Sequence, residues 1–416
     1  MLDAVNKYIE SQKGKLVGLV KELVSIPTLN PPGDNYDLIV NLLEQRCKQA
    51  GLKTNKIKVA DPELEKYKID IHKKRVCLIA DWDSGCDKTI HINAHYDVVP
   101  CAGGWKTNPF KPVIKNEKIY ARGTEDMKAS IACYLTAVCA LKKYNIRPGC
   151  NLQFSFVPDE ETGGETGFGY LVKKGLVKAD YGITEGYSGR CLSYGNKGVV
   201  WLKVQIAGKA AHASKPHMGI NSFEKMNFVV NELMKLNKKI SRRRTAYSVK
   251  DARDRFSTMV LGGVSWGGEK TNIVPNSSGF TIDRRFLPEE NLQAVKNEIY
   301  ECIKSAKKHV KDLNIKVEIL LQQNCAVSNP YSSLSKSFTM AIKSVTGKNA
   351  KLAIMSGATD MRFLMAKGTP CIGYSVSGGN RCHANDEYVT IKSLIDTTKV
   401  FAYVFANLGK EKDAAR

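Results

Sequence analysis

The stretch Leu152-Gln153-Phe154-Ser155-Phe156-Val157-Pro158-Asp159-Glu160-Glu161-Thr162-Gly163-Gly164 places three consecutive carboxylates directly after a run with the character of a buried strand. Glycines favour a turn after the acids. Adjacent negative charges at the end of a buried strand repel one another, so a nearby cation is needed to hold them. The chain as a whole carries a formal net charge of +22. The acidic cluster therefore predicts a bound cation, and the other ligands of that cation should lie elsewhere in the chain.

Strand-like runs alternate with helical patterns on both sides of this cluster. We predict strands at residues 76–80, 89–94, 152–157 and 181–184, and helices at 1–24, 36–51, 129–144 and 167–174. Such alternation is typical of βαβ units and indicates an α/β fold with a mostly parallel open sheet flanked by helices. Open sheets of this kind bind ligands beyond the carboxyl ends of their strands.

The pattern changes between residues 198 and 323. Four strands, at 199–207, 257–264, 278–286 and 315–321, accompany two helices, at 217–236 and 290–310. A chain of 416 residues is long enough for two domains. We therefore expect a catalytic domain made of residues 1–197 and 324–416, interrupted by a smaller α+β domain, residues 198–323, with about four antiparallel strands and two helices. Residues 409–416 are predicted to fray.

The amino-acid composition limits the classes of protein to which the chain can belong. With 43% hydrophobic and 25% charged residues, the chain has the balance of a soluble globular protein. We find no run of 18 apolar residues and predict no membrane span, and the amino-terminal pattern is that of a helix and not of a targeting segment. The twelve cysteines form no Cys-x-x-Cys pair. They are interpreted as reduced thiols of a cytoplasmic protein.

One strongly basic run extends from Lys235 to Arg255, with nine basic residues and two acidic ones. Such a run could contact nucleic acid. No helix-turn-helix, zinc finger or stacking-aromatic motif accompanies it, so we interpret it as a solvated helix end and loop and expect no nucleic-acid partner.

Five residues of metal-binding type lie at predicted strand ends or in the loops that follow. They are His95, Asp126, Glu161, Glu185 and His383. Histidine nitrogens and carboxylate oxygens suit zinc, and a catalytic zinc keeps one position open for water. Five protein ligands are too many for one such ion. They are about right for two ions that share a bridging carboxylate.

Four motifs around these residues carry a family resemblance. They are His95-Tyr96-Asp97, Gly123-Thr124-Glu125-Asp126-Met127-Lys128, Asp159-Glu160-Glu161-Thr162-Gly163-Gly164 and His383-Ala384-Asn385-Asp386-Glu387. Their order and separations resemble the co-catalytic zinc hydrolases that include acetylornithine deacetylase, succinyl-diaminopimelate desuccinylase, aminoacylase and the glutamate-releasing carboxypeptidases. The resemblance covers nearly the whole chain, and in it residues 198–323 match a lid and dimerisation domain.

The resemblance implies roles for the motif residues. His95 and Glu185 match the ligands of one zinc, Glu161 and His383 those of the other, and Asp126 the bridge between them. Two further roles are implied: Asp97 matches the acid that orients the ligand histidine, and Glu160 matches the general base. Two Zn²⁺ per subunit are expected, with Co²⁺ as a substitute.

Other matches concern the substrate. His212, in Gly208-Lys209-Ala210-Ala211-His212-Ala213-Ser214, matches a histidine that stabilises the tetrahedral oxyanion, in dimeric members from the other subunit. Asn272 and Arg285 match contacts to the substrate carboxylate, and Gly357 and Thr359 match a glycine-rich loop that lines the substrate site. Two departures stand out. Ala129 replaces a frequent glycine, and the loop 241–256 is longer and more basic than expected.

The resulting prediction is a homodimeric, zinc-dependent hydrolase that cleaves the amide bond of an N-acyl amino acid. Water between two zincs would be deprotonated by Glu160 and attack the amide carbonyl. Glu at position 185 accompanies deacylases and carboxypeptidases in the family, whereas Asp accompanies aminopeptidases and dipeptidases. A carboxypeptidase or dipeptidase acting on short peptides at the same site is the nearest alternative. A metal-free binding module and a nucleic-acid binder are the others.

Overall fold

The structure is a computed structural model that describes residues 2–410, and it separates into two compact units. The first unit comprises Met1–Gly195, Ser328–Ala353 and Thr359–Arg416 within those described limits. The second comprises Asn196–Val327 and Ile354–Ala358. The domain boundaries proposed from the sequence, at 198 and 323, remain predictions. The predicted fraying of 409–416 falls mostly on residues 411–416, which lie outside the described part.

The first part of the chain, up to residue 195, belongs to the first unit. Its helices up to residue 195 are α1 (Leu2–Ser11), α2 (Lys13–Val24), α3 (Tyr36–Gln49), α4 (Asp61–Lys66), α5 (Lys128–Lys143) and α6 (Phe168–Lys173). The strands of this part are β1 (Lys53–Lys58), β2 (Val76–Trp82), β3 (Thr89–His95), β4 (Val113–Lys115), β5 (Lys118–Tyr120), β6 (Asn151–Val157), β7 (Tyr181–Ser188) and β8 (Cys191–Asn196).

The second unit follows, and the chain then returns to the first. Between residues 198 and 323 lie β9 (Gly198–Ala207), α7 (Ser222–Ile240), β10 (Thr258–Gly267), β11 (Ser277–Phe286), α8 (Leu292–His309) and β12 (Asn314–Gln323). The last elements are β13 (Ala326–Val327), α9 (Ser333–Thr346), β14 (Lys351–Met355), α10 (Met361–Met365), β15 (Cys371–Ser375), β16 (Tyr388–Thr390) and α11 (Ile391–Asn407). Short 3-10 helices occupy Glu160–Thr162, Pro216–Met218 and Ala252–Arg255.

The main sheet of the first unit has the strand order β1-β2-β6-β3-β7-β15-β8. The central strands β6, β3, β7 and β15 run parallel, and antiparallel neighbours lie at both sides. Phe154 and Phe156 of β6 are fully buried, and α5 is buried along most of its length against α11. The predicted mostly parallel sheet with flanking helices is confirmed. Its carboxyl ends gather the loops that hold the acidic cluster.

The second unit contains a four-stranded antiparallel sheet in the order β10-β11-β9-β12. Alternate residues of β9, such as Leu202, Val204 and Ile206, are buried against apolar residues of α7 and α8, including Leu233 and Ile299. The period of two in the strand and the helical spacing of the apolar residues fit this arrangement. The predicted layer of about four antiparallel strands and two helices is confirmed.

Several elements differ from the sequence prediction. The helix expected over 1–24 is two helices that meet at Gln12. The helix expected to begin at 217 begins at Ser222, because the Asn221 side chain accepts hydrogen bonds from the N–H groups of Phe223 and Glu224 and caps it there. A small sheet, β16-β5-β4, was not predicted as a unit. No helix among residues 2–410 combines the length and the hydropathy needed to cross a bilayer.

Candidate metal centre

The candidate ligands all belong to the first unit and reach the same end of its sheet from different segments. His95 is the last residue of β3, and Glu185 lies in β7. Glu161 lies in the 3-10 turn directly after β6, Asp126 in the turn between β5 and α5, and His383 in the loop between β15 and β16. Because parallel strands end at a common edge of the sheet, residues that are far apart in sequence come together in one cluster.

Asp126 lies between two imidazoles. Its Oδ1 is 3.0 Å from Nε2 of His95, and its Oδ2 is 3.3 Å from Nε2 of His383. Nε2 of His383 is also 3.0 Å from Oε2 of Glu161. Ligand atoms of His95, Asp126 and Glu161 all lie within 4.8 Å of one another. A carboxylate that offers one oxygen to each of two histidines has the arrangement of a bridging ligand between two ions.

Several carboxylates crowd around this pair of imidazoles. Burial, followed by the neighbouring Glu185 carboxylate, raises the pKa of Glu160 well above its usual range and that of Asp360 to about 7. Burial opposes ionisation of Asp126, but hydrogen bonds to His383 and His95 outweigh it and hold the pKa of Asp126 well below its usual range. This concentration of buried like charges is unfavourable unless positive charge is supplied.

Two carboxylate oxygens at the cluster are buried without a hydrogen-bond partner among residues 2–410. They are Oε2 of Glu185 and Oδ1 of Asp360. A buried, uncompensated carboxylate oxygen is costly, so a native structure pairs it with a donor or a cation. Oδ1 of Asp360 lies 3.7 Å from the Arg362 guanidinium, which supplies positive charge to it. Together with the imidazole nitrogens, the Glu185 oxygen contributes to a donor set that fits divalent metal ions of the zinc type.

Asp97 connects one candidate ligand to the acidic turn. Its Oδ1 lies 3.3 Å from Nδ1 of His95, so this side of the ring faces a carboxylate while Nε2 faces Asp126. Its oxygens also accept hydrogen bonds from the backbone N–H groups of Glu160 and Glu161 at 3.3 and 3.2 Å. Asp97 therefore contacts both the His95 ring and the turn that carries the other two acids, which is the arrangement expected of an acid that orients a ligand histidine.

Two glutamates without a role in the sequence prediction join the other segments. Glu387 accepts hydrogen bonds from the backbone of Glu125 at 2.7 Å and of Asp126 at 3.2 Å, and forms a buried ion pair with Arg122 at 2.7 Å. The Glu125 carboxylate accepts from the backbone N–H groups of Gly378, Asn380 and Arg381 at 2.6 to 3.0 Å. The turn that carries Asp126 and the loop that carries His383 thus hold each other in place.

Asp159, the first member of the acidic cluster, binds residues other than the candidate ligands. It forms a buried ion pair with Arg75 at 2.9 Å and accepts hydrogen bonds from Thr166, Tyr36 and Asn30. Asp159 has φ of 65°, so the backbone turns sharply at this residue. Its contacts are those of a residue that anchors the turn.

Four of the residues matched to substrate contacts belong to the second unit: His212, Asn272, Arg285 and Gly357. The backbone of His212 pairs with Ile273, and the N–H of Ala213 donates to the carbonyl of Asn272, so the His212 and Asn272 segments lie side by side. The Arg285 guanidinium binds Asp283 at 2.8 Å. A Cβ at Gly357 would meet open space.

Thr359 and Asp360 belong to the first unit, and Asp360 contacts the candidate ligand Glu185. The hydroxyl of Thr359 is buried without a hydrogen-bond partner among residues 2–410. The backbone N–H of Asp360 donates to Oε1 of Glu185 at 3.2 Å, and its carboxylate accepts from Asn93 at 3.0 Å. Asp360 was not among the site residues predicted from the sequence. An acid directly after the glycine-rich loop was the available signal for Asp360.

Comparison with known proteins identifies the family. The model of peptidase family M20/M25/M40 matches residues 91–407, and the chain belongs to this family. An uncharacterised metallohydrolase of Methanocaldococcus jannaschii is 32% identical over 81% of this chain and 84% of its own length. Rat aminoacylase-1A is 28% identical over 86% of each chain. The protein is a metal-dependent hydrolase that acts on amide bonds.

Proteins of solved structure share the fold of this chain. A di-peptidase from Saccharomyces cerevisiae superimposes with a TM-score of 0.81 over 99% of both chains, at 16% sequence identity. At this identity the likeness establishes the fold alone.

Proposed function

We propose that the chain is a two-zinc deacylase that removes the acyl group from an N-acyl amino acid. The observation that carries this proposal is Asp126, whose oxygens face His95 and His383 separately. In the proposed site His95 and Glu185 would hold one ion, and Glu161 and His383 would hold the other. Co²⁺ is the expected substitute because it has similar ligand preferences.

Zinc in such a site supplies Lewis acidity, which lowers the pKa of water to roughly 7 and polarises an amide carbonyl. Glu160 is the proposed proton carrier. Its backbone N–H donates a hydrogen bond to Asp97, and burial raises the pKa of its carboxyl above the usual range, which increases its affinity for a proton. Glu160 would take a proton from water and deliver it to the leaving amine.

His212 is the proposed donor to the oxyanion. Its Nδ1 accepts a hydrogen bond from the backbone N–H of Ser214 at 3.1 Å. A neutral ring that accepts at Nδ1 carries its proton at Nε2, which leaves an N–H available for a negatively charged oxygen. Asn272 and Arg285 are proposed to bind the substrate carboxylate, with Gly357 and Thr359 lining the same site. Arg285 would have to exchange its contact with Asp283 for the substrate.

Two relatives that are named as deacylating enzymes favour deacylation over peptide hydrolysis. Aminoacylase-1A of rat and a succinyl-diaminopimelate desuccinylase of Nautilia profundicola are 28% and 26% identical to this chain. A metallo-carboxypeptidase or dipeptidase reaction on short peptides is the second candidate, since it needs the same metal ligands and general base.

We propose a cytoplasmic homodimer without a nucleic-acid partner. None of the twelve cysteines, all of which lie within residues 2–410, forms a disulfide bond, which fits a reducing compartment. Strand β10 lies at the edge of its sheet and exposes Val260 and Val264, which a second subunit could cover. In the basic run, Arg243 is bound to Glu290 and Glu298, so part of its charge is neutralised within the chain. Sedimentation velocity tests the dimer.

A substrate panel on zinc-loaded protein tests the function. N-acetyl and N-succinyl amino acids are compared with free dipeptides and with carboxyl-terminally blocked peptides. We expect kcat/KM for at least one N-acyl amino acid to exceed that for the dipeptides. A preference for dipeptides, with no turnover of N-acyl amino acids, would replace deacylation by the second candidate.

A further inference from the structure

A cavity of about 450 Å³ lies in the first unit, beside the small sheet β16-β5-β4. Its charged lining comes from three separate segments. The lining includes Lys106, Lys115, Lys118, Arg381, Asp386 and Tyr388. None of these residues is a candidate metal ligand or a residue matched to substrate contacts, so the proposed function does not account for the cavity.

The cations of this cavity are poorly neutralised. Asp386 is its only acidic lining residue, and it is engaged with Lys106: Oδ1 accepts from the Lys106 backbone at 2.9 Å, and Oδ2 lies 3.9 Å from the ammonium nitrogen. Among residues 2–410, no carboxylate forms an ion pair with Lys115, Lys118 or Arg381. Three positive charges therefore line the cavity without a carboxylate partner, although the Arg381 guanidinium donates a hydrogen bond to the carbonyl of Asn385 at 3.2 Å.

Two of these cations face each other within the sheet. Lys115 of β4 pairs directly with Lys118 of β5. Like charges directly opposite on neighbouring strands are destabilising. The acid closest to them in sequence, Glu117 in the intervening turn, instead binds Lys13 at 2.8 Å. Lys118 also lies 4.1 Å above the ring of Tyr388, which holds its position but does not neutralise its charge.

We propose that this cavity is a binding site for a small molecule that carries at least two oxyanion groups. Such a ligand would relieve the repulsion between Lys115 and Lys118 at one end. Its second anionic group would meet the Arg381 guanidinium, whose planar fork suits phosphate and carboxylate. A concave site of this size favours a small polyanion over a nucleic acid, which would contact a longer basic surface.

Calorimetry on zinc-loaded full-length protein at fixed ionic strength tests the proposal. Fructose 1,6-bisphosphate is the phosphate probe, and tricarballylate is the carboxylate probe. We expect saturable binding of one probe molecule per chain, and the tighter probe identifies the anionic group. The double variant Lys115→Glu and Lys118→Glu should weaken this binding by at least about tenfold, because it reverses two contacts at close range.

The control variant combines Lys174→Glu and Lys178→Glu. It makes the same change in net charge at exposed lysines of the same unit, and Lys174 lies above Tyr170 much as Lys118 lies above Tyr388. Binding should be unaffected in this control, and KM for an N-acyl substrate should be unchanged in the Lys115/Lys118 variant.

Four results would overturn the proposal. Absence of saturable binding would mean that the cavity does not bind such anions. Equal loss of binding in both variants would mean a diffuse effect of the basic surface. A raised substrate KM in the Lys115/Lys118 variant would make the cavity part of the substrate site. Binding of a single-stranded oligonucleotide that depends on Lys115 and Lys118, without binding of either probe, would assign the surface to nucleic acid.

Discussion

Glu387 accepts a hydrogen bond from the backbone N–H of Glu125 at 2.7 Å, across 262 positions of sequence. The Glu125 carboxylate in turn accepts three backbone hydrogen bonds from the loop 378–381. The two glutamates therefore fix the segments that present Asp126 and His383. Neither has to touch a metal ion to determine how well one is held.

Replacing either glutamate by glutamine should weaken metal binding. A glutamine has a single acceptor oxygen and cannot accept the three N–H groups that Glu125 accepts. For Glu125→Gln and Glu387→Gln we expect zinc affinity to fall by roughly 10- to 100-fold, as is usual for residues that support metal ligands. Competition with a chelating dye measures this. Glu63→Gln, at a surface pair with Lys173, is the control. Unchanged affinity in both variants would contradict the assignment.

Glu160→Gln should separate proton transfer from metal binding. The substitution keeps the shape of the side chain and removes its basicity. Zinc content is expected to stay as in the parent protein, while kcat falls by about 10²- to 10⁴-fold. Metal analysis and steady-state kinetics on the same preparation provide both quantities. If the variant kept its turnover, the base would have to be another residue.

Asp159→Asn should lower the stability of the folded protein. The Arg75 and Asp159 side chains are 3% and 1% exposed, so the substitution leaves a buried guanidinium without its counter-charge. We expect a loss of about 3–5 kcal/mol in the free energy of unfolding, measured by denaturant titration. The exposed pair of Lys58 and Asp61 provides a comparison, since Asp61→Asn should cost no more than about 1 kcal/mol. Equal losses of unfolding free energy in the two variants would show that the buried pair contributes no more to stability than the exposed pair.

Lys128 predicts a pH dependence of stability. Burial lowers the pKa of this lysine to about 7, whereas an unfolded lysine titrates near 10.4. The unfolded chain therefore binds more protons between these values, and stability rises with pH across that window and is lost as pH falls toward about 7.

Comparison with Lys128→Met isolates this contribution. Between about pH 7 and pH 10, the stability of the parent protein relative to Lys128→Met should rise by roughly 1.4 kcal/mol per pH unit. Lys143→Met, at an exposed position of helix α5, is the control. A difference between parent and Lys128→Met that does not change with pH would contradict the prediction.

The residues of the proposed site were predicted from local features of the sequence. The acidic cluster, the histidines and the alternation of strands and helices are all visible in short segments, and strand ends of a parallel sheet converge by geometry. The reciprocal contacts of Glu125 and Glu387 were not visible, because their partners are backbone N–H groups far away in sequence. Backbone donors carry no residue identity that a motif could reveal.

Other features depended on packing in a similar way. Nothing in the residues around Asp360 indicates that its N–H reaches Glu185, since the two residues are far apart in sequence and meet only in the folded first unit. The cavity that Lys115 and Lys118 line requires the pairing of two three-residue strands, which are too short to carry a periodic signal.

The stoichiometry of bound metal tests the central claim most directly. Protein saturated with zinc and freed of excess metal should contain two zinc ions per chain, and Asp126→Asn, which weakens the proposed bridge, should contain one or fewer. Elemental analysis together with protein quantification measures this ratio. A parent protein that saturates at one zinc per chain, or an Asp126→Asn variant that still holds two, would contradict a two-metal site bridged by Asp126.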